Sequence, residues 1–190
     1  MKKGILILVL VILSVFSFSQ LKEGQSFCDE SVDGGYFPLS FREKVILWAN
    51  TYYLETITGT KKINGKTYIE FKQAWENKNI SMLYLREENG VIYQYEECCE
   101  DETIRYDIDF KEGKAWQTAD GKGAYHIVSY KGKLKTPYCE YENLMVIEAK
   151  LAYGNYKFYY LKGYGYIGAT KNDKIISCLA PEIPKRFKNK

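Results

Sequence analysis

The feature that most constrains this chain is a period-two alternation of apolar and polar residues, cut at short intervals by turn dipeptides. At residues 103–110, Ile104, Tyr106, Ile108 and Phe110 alternate with Thr103, Arg105, Asp107 and Asp109. Successive side chains on a strand point to opposite faces, so this segment reads as a strand with one apolar and one polar face. Residues 66–73 repeat the pattern, with Ile69 and Phe71 opposite Lys66, Glu70 and Lys72. Asn64-Gly65 precedes that run, and Asn89-Gly90 separates residues 81–86 from 91–95. Asn-Gly suits the positive backbone angles of a two-residue hairpin. Further breaks at Gly113, Gly121, Gly132, Gly154 and Asn172-Asp173 divide the remainder. The pattern predicts an all-β fold: a curved antiparallel meander of about nine to eleven strands, forming a half-barrel or open barrel.

At most one short helix is expected, near the mature N-terminus. Ser40-Phe41-Arg42-Glu43 fits a capping box before the apolar residues 45–49. The β-branched and aromatic residues at 51–58 favour a strand from about Val45 instead.

Lys2 and Lys3 precede an apolar run at residues 5–18, with small residues at Ser17 and Ser19. That is the charged and apolar succession of a secretory signal, which predicts cleavage between Ser19 and Gln20 and an exported protein, periplasmic or extracellular. The run is shorter than the roughly 20 residues of a membrane span, so no transmembrane segment is expected after cleavage. Phe27 before Cys28 departs from the small residue that lipoprotein acylation needs. The expected organisation is a signal at 1–19, an N-terminal extension at 20–35, one β domain at 36–180 and a frayed basic tail at 181–190. A formal charge of +3, reduced further by loss of Lys2 and Lys3, supplies no concentrated positive field for nucleic acid.

Five cysteines, at 28, 98, 99, 139 and 178, would meet an environment in which disulfides persist. Several pairings are open to them; Cys139 with Cys178, and Cys28 with Cys98, are the expected ones. Glu96, Glu97, Glu100, Asp101 and Glu102 surround Cys98 and Cys99 with negative charge, which suppresses the thiolate and argues against redox work. Adjacent cysteines also lack the spacing of a tetrahedral metal site, so no metal and no cofactor are expected.

Catalytic motifs are scarce. Residues 163–168 match G-x-G-x-x-G, but a turn follows where a dinucleotide site needs a helix, so these glycines read as bends in a curved strand. His126 is the single histidine and lies in an alternating strand, which favours a structural imidazole over a general base. Nothing singles out a pair of carboxylates for hydrolysis. The chain is expected not to be an enzyme.

Gly35-Tyr36-Phe37-Pro38-Leu39, residues 63–68, Leu83-Tyr84-Leu85-Arg86, Lys135-Thr136-Pro137 and residues 159–165 form an ordered series of short motifs. The series resembles the exported bacterial TapB-like family of uncharacterised domains. The resemblance implies a curved antiparallel sheet, distantly similar to the half-barrels of periplasmic lipoprotein carriers, and no catalytic residues. The vicinal Cys98 and Cys99 depart from that family.

Eighteen tyrosines are too many for one apolar sheet face. Tyr156, Phe158 and Tyr160 share a face while Tyr159 and Leu161 occupy the other. Both faces therefore need cover, from a second layer or from a ligand. One reading is a carrier for a lipid or other apolar small molecule, with a pocket of several hundred Å³. Its candidate contacts are Trp48, Tyr52, Trp75, Tyr84, Tyr93, Trp116 and Tyr159. The other reading is a surface module whose Tyr and Trp rings stack on a glycan or a protein partner.

Overall fold

A computed structural model describes Cys28, residues 33–41 and residues 43–188. The expected signal at 1–19 and most of the extension at 20–35 lie outside these residues. Twelve strands follow one another: β1 (Glu43–Trp48), β2 (Thr51–Ile63), β3 (Lys66–Trp75), β4 (Ile80–Glu88), β5 (Val91–Glu96), β6 (Asp101–Asp107), β7 (Ala115–Gln117), β8 (Ala124–Lys135), β9 (Glu140–Leu151), β10 (Gly154–Leu161), β11 (Gly165–Lys171) and β12 (Lys174–Ala180). A single helical turn, α1 (Lys185–Lys188), ends the described chain.

The strands form one antiparallel sheet in the order β6-β5-β4-β3-β2-β1-β12-β11-β10-β9-β8-β7. It consists of two meanders joined where β1 pairs with β12, from Val45 opposite Ala180 to Trp48 opposite Ser177. Asn64-Gly65 and Asn89-Gly90 turn two of the hairpins, all four residues at positive φ. The expected strand from Val45 is present, but Ala49, at φ 51°, folds it back so that β1 and β2 form a hairpin.

The sheet rolls into a nearly closed barrel whose edge strands, β6 and β7, are stitched by side chains rather than by a ladder. The Trp116 indole N–H donates to the Ile104 carbonyl at 2.7 Å, and the Ala119 amide donates to Thr103 Oγ1 at 2.9 Å. Register shifts interrupt the β2–β3, β5–β6, β8–β9, β10–β11 and β11–β12 pairings, which bends and twists the strands toward closure. The glycines at 163–168 take part: Gly163 and Gly165 have φ of 76° and 87° in the β10–β11 turn. A Cβ on Gly168 would stand 2.6 Å from the Ser177 carbonyl. They serve curvature and close strand contact, with no helix behind them.

The strand favoured over a helix at residues 40–49 is the one present, and Val45 to Trp48 pair on both sides, with β2 and β12. Three other sequence-based expectations are corrected. The basic tail is docked over its described residues, 181–188, rather than frayed, because the buried Phe187 packs with Tyr52, Val45, Leu47 and Cys178 over the outer face of β1 and β12. The disulfide is Cys28–Cys139, which replaces both expected pairings; Cys178 is free beneath the tail, and Cys98 and Cys99 are free in an exposed turn. His126 is exposed on β8 and has no structural role as a buried imidazole.

Two aromatic-rich clusters fill most of the interior. One gathers Tyr106, Tyr125, Ile127, Met145, Ile147 and Tyr160, and the other Ile46, Tyr53, Leu144, Tyr164 and Leu179. Among the described residues, no helix is long and apolar enough to cross a membrane.

Candidate functional site

An aromatic strap crosses the barrel ahead of β1. The Gly35 carbonyl accepts from the Gly163 amide at 2.8 Å, which anchors the strap to the β10–β11 turn. Phe37 then inserts between Tyr160 and Tyr106, at ring distances of 4.5 and 5.7 Å, and Phe41 packs on Phe71 at 5.5 Å. Upstream, the Cys28–Cys139 disulfide ties the chain leading into the strap to the β8–β9 connection.

Under the strap lies a cavity of about 170 Å³, partly open to solvent. Alternation brings Lys44 and Trp48 of β1, Tyr53 and Glu55 of β2, Phe71 and Gln73 of β3, and Leu83 and Leu85 of β4 to its wall. Across the barrel, Phe158 and Tyr160 of β10 and Tyr166 of β11 complete it, with Gln94 and Arg105 from β5 and β6.

The wall is apolar with an embedded polar array. Lys44 is only 3% exposed; its Nζ donates to the Tyr164 carbonyl at 3.0 Å and lies 4.3 Å over the Phe41 ring. Burial pushes its ammonium down from the ordinary lysine value, and Glu55, its register partner across β1 and β2, pulls the other way. Glu55 accepts from Gln73 Nε2 at 2.8 Å. The Arg105 guanidinium donates to the Tyr125 hydroxyl at 3.3 Å. The Gln94 Oε1 is buried without a hydrogen-bond partner. Burial also drives the Tyr53 and Tyr166 phenols well above their usual value, so both stay neutral donors.

Of the seven aromatic residues named from the sequence, Trp48 lines the cavity. The structure does not bring the other six to it. Trp75 packs at a tilt on Tyr53, with ring centres 4.6 Å apart, and Tyr52 packs under Phe187 on the outer face. Tyr84 receives a hydrogen bond from Lys61, and Tyr93 lies 4.2 Å beneath the Arg86 guanidinium. Trp116 forms the barrel seam, and Tyr159 is buried with its hydroxyl 3.3 Å from Thr170 Oγ1.

The polar residues of the wall escaped sequence reasoning. Arg105 belongs to the polar face of an ideal alternation. The bulge in β5–β6 pairs Ile92 with Tyr106 and Tyr93 with Ile104, leaving Arg105 as the extra residue, and it reaches the cavity. The same shift separates Ile104 from Tyr106, and Ile108, expected on their apolar face, is exposed. Gln73 carries the one legible signal, since it shares parity with Phe71.

No protein family matches the chain, and no curated protein matches it. The resemblance to the TapB-like family therefore gains no support from these comparisons. Among solved structures, the chain is similar to one from Bacteroides fragilis described as an exported protein with a YmcC-like fold, at 8% identity and a TM-score of 0.42. That alignment covers 80% of this chain and 97% of the other.

Proposed function

We propose that this chain is an exported, non-enzymatic binding protein that holds a small apolar or lipid-like molecule inside its barrel. The observation that carries the reading is the cavity beneath the Tyr36 to Phe41 strap, with aromatic and aliphatic walls from both meanders. Its volume of about 170 Å³ is below the several hundred Å³ of typical small-molecule sites. Dry apolar cavities of about 150 Å³ nevertheless bind benzene-sized molecules. A compact occupant thus fits without rearrangement. The alternative of ring stacking on a glycan has less behind it, because the exposed large aromatics among the described residues are only Tyr138 and Tyr153.

Trp48 in the cavity wall supplies the readout. Toluene and 1-hexanol should give a saturable change in tryptophan emission and raise Tm. Leu85→Trp, which fills the cavity, should abolish the response while circular dichroism shows the sheet intact. Absence of saturable binding of every small apolar probe, neutral or charged, would remove the proposal.

A further inference from the structure

We infer that the cavity is a site for a small monocarboxylate, its carboxylate held by Arg105 and its aromatic or short aliphatic body lodged against the strap. The inference rests on the binding role proposed above and names the ligand class.

The charges of the wall point to it. Lys44 faces Glu55 in register, that carboxylate acts on its ammonium, and its Nζ is already bonded to the Tyr164 carbonyl. Arg105 makes no ion pair among the described residues, and Glu96 acts on it through space as Glu55 acts on Lys44. A guanidinium has five N–H donors in a planar fork, and the Tyr125 and Tyr160 hydroxyls occupy only part of it. A half-buried guanidinium with donors to spare gains from an acceptor, and a ligand carboxylate meets that fork with two parallel charge-assisted bonds. Lys44, Glu55 and Arg105 are the charged residues of the lining, a net of one positive charge, which matches a monoanion better than a phosphate dianion.

One further feature agrees. The cavity of about 170 Å³ admits a ring or a short chain and not a long acyl tail. Phe37, Phe71, Phe158 and Tyr166 surround that volume.

Calorimetric titration of the full-length mature protein with benzoate, hexanoate, benzamide, toluene and 1-hexanol tests the assignment. Each acid should bind at least about tenfold more tightly than its neutral counterpart, the lower end expected for hydrogen bonds to a charged group. Arg105→Gln should erase that preference, with Arg105→Lys intermediate. Should Arg105→Gln fail to fold, ¹³C-carboxyl benzoate bound to the native protein should show a guanidinium-dependent shift and contacts to Phe37 and Phe158. Equal affinity for acids and neutral counterparts, or a preference that survives in Arg105→Gln, overturns the carboxylate assignment. Toluene binding without benzoate binding leaves the binding role standing and removes only the carboxylate. Failure of every probe removes both.

Discussion

Acid should weaken this barrel through one carboxylate. Glu102, at the start of β6, accepts from Lys66 Nζ at 2.5 Å, the Tyr68 hydroxyl at 2.7 Å, and Arg86 Nε and Nη2 at 2.5 and 2.9 Å. It thereby clamps the edge strand to β3 and β4 on the outer face, with Arg86 only 9% exposed. Burial alone would raise its pKa, but the hydrogen bonds from Arg86, Lys66 and Tyr68 outweigh that and hold the carboxyl at about 2 instead of 4.5. A depressed folded-state pKa means that the fold favours the ionised form. Its stabilisation is therefore complete above pH 4.5 and is lost as pH falls toward 2. The shift corresponds to about 3 kcal/mol at about 1.4 kcal/mol per tenfold change. Lys66 is half exposed, so solvent screening reduces the expected contribution to about 2 kcal/mol. Urea unfolding should show Glu102→Gln less stable than wild type by about 2 kcal/mol at pH 7, converging with it near pH 2. A variant within about 0.5 kcal/mol of wild type at pH 7, or parallel pH profiles, would refute the reasoning.

Four other outcomes follow from the same contacts. Cys28→Ser should destabilise the protein by about 2–4 kcal/mol, and peptide mapping should recover Cys28 joined to Cys139; a Cys139–Cys178 peptide would contradict the structure. Gly168→Ala, whose methyl meets the Ser177 carbonyl, should cost more than about 2 kcal/mol, whereas Gly65→Ala meets no atom within 4 Å and bears only its backbone strain, about 1 kcal/mol; equal melting temperatures would refute the distinction. Trp116→Phe should lose about 1 kcal/mol and speed hydrogen exchange in β6, which unchanged β6 protection would disprove. His126→Ala should leave stability within about 0.5 kcal/mol, and a larger loss on thermal unfolding would show a buried role.

Local signals were sufficient for the strand content and for two hairpins. Asn64-Gly65 and Asn89-Gly90 place their turns because few residues tolerate consecutive positive φ, and that demand is met within two residues. The β1–β2 turn had no such signal, since Ala49 adopts positive φ under pressure from two neighbouring strands. The second faces of the aromatic strands did need cover, as the composition required. What covers them differs from place to place: Phe187 lies over β1, and the strap lies over Phe71 and Tyr160.

Alternation and turn chemistry, both properties of a few neighbouring residues, determined an antiparallel meander and an excess of rings beyond one sheet face. Only the tertiary structure decided that β1 meets β12, that Cys28 finds Cys139, and that Arg105 reaches the cavity beneath the strap. The first two join segments far apart in sequence, by 111 residues for the disulfide, with no local signature. The third depends on one bulge, and a single inserted residue reverses the face of a side chain that strict alternation would send outward.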